Sequence, residues 1–316
     1  MNVIIWGLKP YTHTHSWIHW GFAKAFEYLG HNVMWLDKSE TYDITLFNDA
    51  LVISEANNDD GIPVLNTATY LVHRLKKDTY QNAKKVLNLE FYSKPIEDSE
   101  IKIYPPHYSN MSCVLKRYQE LAPTVWFGDE ILESNNMHAP TLFMSWGTDL
   151  LPNDIELIDP GFIQASRRPD VSFVGSVWGV NMNEMQQFMN NLQKRNIPLN
   201  VLGLHNGMPV NNELCKHIVR LSLFSPAIVG KDHIDMGYVP CRLFKNISYS
   251  RMPATNLPHA SEILPGLVVE EDLDLLIDKA IEFENKPDIN LMNALVNHVR
   301  KEHTFVNRAL NILEVI

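Results

Sequence analysis

Hydrophobic positions at the start of the chain form two short apolar runs with a helical pattern between them. Asn2–Gly7 (NVIIWG) is a continuous apolar run closed by glycine, the pattern of a strand buried on both faces. After the loop Leu8–His15, apolar side chains at Trp17, Phe22, Phe26 and Leu29 recur at helical intervals, with Ser16 the expected cap and Gly30 the expected C′ residue. Asn32–Asp37 (NVMWLD) is a second strand, which makes the opening segment one βαβ unit. The pattern then predicts short strands at Ala50–Ile53, Pro63–Leu65, Lys85–Leu89 and Val125–Phe127 and a helix over Thr67–Leu75. The apolar segment Leu142–Trp146 runs into a loop, GTDLLP.

Leu157–Pro169 carries prolines and polar residues and reads as a linker. Beyond it the same cycle repeats. Strands are expected at Asp170–Gly175, Leu199–Gly203, Ala227–Val229 and Pro253–Thr255, and helices at Glu184–Arg195, Arg242–Ser250 and Glu270–Phe283. Asp288–Ile316 reads as a pair of closing helices. Two successive βαβ systems predict an α/β protein of two Rossmann-like, doubly wound domains, residues 1–165 and 166–316, facing a central cleft. Ligands in such folds sit at the carboxyl ends of the strands.

Composition narrows the function. The 316 residues are 45% hydrophobic, enough for two cores, and 20% charged, as in ordinary globular proteins. With 27 basic and 37 acidic side chains the net charge is −10, which disfavours a nucleic-acid partner gripped through many phosphates but leaves room for a local basic cleft. Cys113, Cys215 and Cys241 form no CxxC pair, which fits reduced thiols and a cytoplasmic location. Neither a leader peptide nor a membrane span is expected.

Three constellations carry candidate chemistry. The loop after the first strand holds His13, His15 and His19, where an imidazole can serve as a general base; the alternative is that they cap the helix or pack on tryptophans. No carboxylate or cysteine stands near them at a recognisable ligand spacing, so no metal is expected. Gly175 and Ser176 close the first strand of the second half, where backbone N–H groups and a hydroxyl can meet a phosphate. GxGxxG and GxxxxGK[ST] are absent, which disfavours a dinucleotide oxidoreductase or a P-loop enzyme. The third is Gly237–Asn256, in which Arg242 and Lys245 stand near a helix start, flanked by Tyr238 and Asn246; cations there suggest an anionic ligand shared with the helix dipole. Asp149 lies in the loop after Trp146 and is a candidate acid or base, or a helix cap. The Asp272-Leu273-Asp274 spacing matches that of metal-dependent transferases but sits where a helix begins, so it reads as structural. Asp59-Asp60 before a glycine reads as a turn.

On these residues the chain resembles GT-B glycosyltransferases. Leu243–Thr255 (LFKNISYSRMPAT) is similar to that superfamily's loop-helix-strand, although Lys245 or Asn246 falls where its glutamate stands. Phe173–Ser176 and Arg242–Lys245 resemble the DNA β-glucosyltransferases of T-even phages, and this resemblance implies donor-diphosphate contacts at Gly175, Ser176 and Arg242. His15–Phe22, Trp146–Pro152 and Gly237–Ser250 are similar to a set of glycosyltransferase-like proteins of large DNA viruses and bacteria. The resemblance implies a metal-independent transferase with no cofactor, taking a nucleotide-sugar donor such as a UDP-sugar. The expected acceptor is a hydroxyl on a surface glycan. The alternatives are hydroxymethylated DNA as acceptor, a non-hydrolysing nucleotide-sugar epimerase, and a non-catalytic nucleotide-binding protein.

Overall fold

The computed structural model describes residues 1–10, 12–55, 58–73, 75, 79–91, 114–117, 140–158, 168–177, 179, 181–203, 210–235 and 237–316. Cys113 and the strand expected at Val125–Phe127 lie outside them. The chain divides into two compact units, residues 1–145 with 308–316, and residues 146–307.

The first unit is built on one sheet. Its strands are β1 (Asn2–Trp6), β2 (Asn32–Leu36), β3 (Leu51–Glu55), β4 (Thr69–His73), β5 (Lys85–Glu90), β6 (Val114–Arg117) and β7 (Pro140–Phe143), in the order β2-β1-β3-β4-β5-β7-β6. Neighbours run parallel except β6, which is antiparallel to β7. Helix α1 (Ser16–Tyr28) crosses from β1 to β2 and buries His19, Phe22 and Phe26. It ends as expected: Gly30, at φ +82°, donates its N–H to Glu27 O at 2.9 Å, and the His31 N–H reaches Phe26 O at 3.0 Å. Its start differs from the expectation. His15 occupies the cap position, and the Ser16 hydroxyl instead ties the preceding loop, donating to Lys9 O (2.7 Å) and accepting from the His13 N–H (3.1 Å).

Two expectations in this unit fail. Thr67–Leu75 contains a strand, Thr69–His73, rather than a helix; its apolar residues are buried on both faces of the sheet, so their spacing resembles a buried helix turn. Pro63–Leu65 is not a strand. The Tyr70 hydroxyl holds it from β4, donating to Pro63 O at 2.7 Å and accepting from the Leu65 N–H at 2.9 Å.

The second unit has a parallel pair, β8 (Val171–Val174) and β9 (Leu199–Leu202), and a parallel three-stranded sheet of β10 (Ser225–Pro226), β11 (Pro253–Thr255) and β12 (Val268–Val269). Its helices are α2 (Met182–Lys194), α3 (Asn212–Leu221), α4 (Lys231–Asp235), α5 (Cys241–Ser248), α6 (Ala260–Ile263), α7 (Leu273–Asn285) and α8 (Ile289–Glu302); the chain then enters α9 (Phe305–Val315), most of which belongs to the first unit. Phe173, Phe188, Phe224, Leu276 and Ile277 fill the core between strands and helices. The strand expected at Ala227–Val229 is shorter and earlier. Ala227 still donates to Ala254 O at 2.8 Å, and beyond it the Asn256 side chain takes over, accepting from the Val229 N–H (2.8 Å) and donating to Val229 O (2.7 Å). Asp272 caps α7 through the N–H groups of Asp274 and Leu275, and Asp274 pairs with Arg195 at 2.7 Å, so this acidic pair is structural.

The units part after Ser145, not after residue 165, and the last nine residues count with the first unit. The cause is specific packing. The Thr148 N–H donates to His303 O at 2.8 Å and Thr148 bridges to Thr304, which commits the segment after Ser145 to the turn between α8 and α9. Arg308, in the first turn of α9 and fully buried, donates to Ser145 O at 2.8 Å and so holds that helix within the first unit. No described helix is long and apolar enough to cross a membrane.

Candidate functional site

In the second unit, β8 ends at Gly175, and α5 brings Arg242 over it. The guanidinium lies 4.1 Å from the Phe173 ring centroid, and its Nε donates to Val174 O at 3.0 Å. A Cβ on residue 175 would overlap the guanidinium, lying 2.9 Å from its central carbon, so this close approach requires glycine. Burial pulls the Arg242 guanidinium below its ordinary value, though arginine keeps its charge in any protein setting. Pro240 is the cap residue of α5 and offers no side-chain acceptor, so the helix start faces its surroundings with backbone N–H groups and Arg242. Tyr238 is half-buried, 4.8 Å from the His233 ring and within electrostatic range of Arg242. Ser176 follows Gly175 and accepts from the Asn181 side chain through its carbonyl (3.2 Å). Gly175, Ser176 and Arg242 thus lie together at the end of β8, with Tyr238 near the arginine.

The other expected donor residues go elsewhere. Lys245 is one turn further along α5, and its ammonium meets Asp149 at 3.5 Å. Tyr249 donates its hydroxyl to the same Asp149 oxygen at 2.7 Å, and Asp149 is buried. Burial works against the Lys245 ammonium, but Asp149 together with the nearby Cys215 and Cys241 outweighs it and holds the group above its ordinary value. Burial, with Asp149 beside it, pushes the Tyr249 phenol well up, so it stays a donor. Asp149 thus meets Lys245 on α5 and Tyr249 at the end of that helix. Asn246 is buried in the core and donates toward Ser225 O at 3.5 Å.

In the first unit, the histidine loop meets the ends of two neighbouring strands. His15 Nδ1 lies 2.7 Å from Glu55 Oε2, at the end of β3, and His73 Nδ1, at the end of β4, lies 3.7 Å from the same oxygen. The His13 and His15 ring centroids are 5.2 Å apart, and the His15 backbone N–H donates to His13 Nδ1 at 3.1 Å. Burial pushes the Glu55 carboxyl up, but hydrogen bonds from His15 and His73 outweigh it and hold the group far below the usual carboxylate range. His19 sits behind this cluster, buried, and burial lowers it to about 4. It is a neutral packing residue beneath the loop. Ligand atoms of His13, His15 and Glu55 all lie within 4.8 Å of one another, a set able to hold a metal ion. Glu55 and His73 were missed in the sequence, where each is simply the last residue of an apolar run.

No family model matches the sequence, and no curated protein matches it. The fold has solved counterparts. An alpha-glucosyltransferase in complex with UDP matches over 96% of this chain and 95% of its own, with TM-score 0.52 and 11% identity. An alpha-glucosyltransferase in complex with UDP and a 13-mer DNA containing a HMU base matches over 99% and 98%, with TM-score 0.58 and 10% identity. A third structure, the enzyme with UDP and DNA containing a central A:G mismatch, matches over 96% and 95%, with TM-score 0.50 and 9% identity. The chain therefore has the GT-B fold, two Rossmann-like α/β units with parallel sheets, along essentially its whole length.

Proposed function

We propose that the protein is a glycosyltransferase that uses a UDP-sugar and glycosylates a hydroxymethylated base in DNA. The observation that carries the donor half is Arg242 seated on Gly175 at the end of β8, in a fold whose named counterparts were solved with UDP. The donor diphosphate lies against the Gly175-Ser176 backbone and the start of α5. When the bond between the sugar's C1 and the phosphate oxygen breaks, the leaving diphosphate gains charge, and Arg242 with the helix dipole stabilises it. A metal does that work in other transferases, so donor binding here needs none.

The acceptor hydroxyl gives up its proton as its oxygen bonds to C1; of the candidate bases, His15 is the imidazole that a carboxylate orients, with Glu55 at 2.7 Å. Buried His19 is set aside as the base. Two of the matched glucosyltransferases were solved with DNA, and this moves the acceptor from the surface glycan expected above to DNA. A net charge of −10 is a sum over the whole chain and does not oppose a local DNA contact.

The test is transfer of labelled sugar from UDP-glucose to duplex DNA with and without hydroxymethylated pyrimidines, with EDTA present throughout. Label on the modified duplex alone supports the reading. Label on neither duplex, with UDP still bound, removes the DNA acceptor. Absence of UDP binding in a thermal-shift assay removes the donor site as well.

A further inference from the structure

We propose that His13, His15 and Glu55 form a binding site for a divalent transition metal, with zinc the best match. Two imidazoles and one carboxylate are a donor set that zinc accepts at sites where a fourth position stays open. Magnesium and calcium prefer all-oxygen surroundings, which this cluster does not offer. Zinc holds such donors at about 2.0–2.2 Å, so the donors of one ion stand roughly 3.3–3.6 Å apart. The three ligand atoms already lie within 4.8 Å of one another, and His15 and Glu55 are nearer than zinc requires. Small rotations of His13 and His15, both half-buried on a loop, close the set.

One further feature supports the site. Glu55 is buried at the end of β3 and fixed by the sheet, with His73 Nδ1 at 3.7 Å, the kind of outer contact that orients a metal-binding carboxylate. Binding has a cost. His13 Nδ1 accepts the His15 amide N–H, so the metal must displace that bond or shift the ring proton, which keeps the site weaker than a dedicated structural centre. The sequence concealed the set because its ligands are separated by about forty residues and two elements; the nearest carboxylate is supplied by the neighbouring strand.

A metal on His15 takes the lone pair that would accept the acceptor's proton. Zinc therefore acts as a reversible inhibitor, a consequence that rests on the function proposed above. The binding itself does not.

The experiment uses tag-free, metal-stripped protein titrated with Zn²⁺ against a chromophoric chelator. One equivalent should bind, and both His13→Ala and Glu55→Gln should weaken it at least about tenfold. His13 is on a loop outside the core, so that variant keeps the test valid if Glu55→Gln fails to fold. No competing zinc in the wild type, or equal affinity in His13→Ala, overturns the site. One equivalent of zinc should also lower sugar transfer, with recovery on adding EDTA. Zinc bound with transfer unchanged leaves the site standing and overturns its inhibitory role together with His15 as the base.

Discussion

Replacing Gly175 by alanine should weaken UDP binding through a residue that is sixty-seven positions away in the chain. The new methyl would stand 2.9 Å from the Arg242 guanidinium carbon and closer still to one of its nitrogens, with the Phe173 ring edge at 3.3 Å. The ring has little freedom in the core, so the arginine must leave. It then gives up the bond to Val174 O and its seat on Phe173. A hydrogen bond involving a charged group is worth about 1.5–3 kcal/mol, so losing the arginine's contact to the diphosphate should raise the UDP Kd roughly 10- to 150-fold. Arg242→Ala should do the same. The double variant discriminates: once the arginine is gone, the methyl has nothing to displace, and its Kd should match that of Arg242→Ala within about twofold. Residue 175 has φ +158°, at the margin of what alanine adopts, so some stability loss, about 1 kcal/mol, persists in both backgrounds and is read separately by thermal unfolding. Isothermal titration with UDP gives the four Kd values. Additive effects of the two substitutions, or normal UDP affinity in Gly175→Ala, would refute the reasoning.

Further outcomes follow from the same geometry. Asp149→Asn should destabilise the protein by about 2–4 kcal/mol in urea unfolding, because it leaves the Lys245 ammonium without its carboxylate in a largely enclosed site. Asn256→Ala removes both contacts to the Val229 backbone in the core and should cost about 2–4 kcal/mol in the same assay. His19 is lowered to about 4 by burial from an unfolded value of 6.5, so below pH 6.5 the unfolded chain takes up a proton that the folded one refuses. Stability contributed by the neutral ring is therefore lost from pH 6.5 down to about 4, at up to about 1.4 kcal/mol per pH unit, and a folded His19→Gln variant should flatten that part of the urea-midpoint profile.

Periodicity carried the parts of the fold that repeat a single environment. β1, α1 and β2, and later α5 with β11, stand within a residue or two of the expected positions; β1, α1, α5 and β11 each carry a consistent buried face, and β2 is a short apolar run closed by Asp37. Thr69–His73 was misread because a strand buried on both faces has no alternation, and Pro63–Leu65 because its partner is a tyrosine hydroxyl rather than a neighbouring strand. The candidate sites divide in the same way. Gly175 and Arg242 were legible since each is unusual where it stands, a glycine at a strand end and a cation at a helix start. Glu55 and His73 are ordinary strand-terminal residues until parallel pairing of β3 with β4 sets them side by side. Both stand at the carboxyl ends of parallel strands, where chemistry gathers in such folds.

Arg242 and Lys245 looked equivalent in the sequence, and their partners separate them. Lys245 faces a carboxylate at 3.5 Å, so part of its field is already offset, and turning it toward a phosphate would strand Asp149 in a buried site. Arg242 lies against a carbonyl and an aromatic ring, both uncharged, so its full charge remains available to an anion arriving at Gly175. Affinity for the donor should therefore rest on Arg242, and the alignment of α5 on Lys245. The consequence is a crossed pair of effects: Arg242→Ala should lose UDP affinity with a modest change in stability, while Lys245→Met should lose stability and keep UDP affinity within about threefold. Titration calorimetry and urea unfolding on the two variants read both quantities. Equal losses of UDP affinity would mean that Lys245 leaves Asp149 when the donor binds, and the ion pair would then be part of donor recognition instead of the frame beneath it.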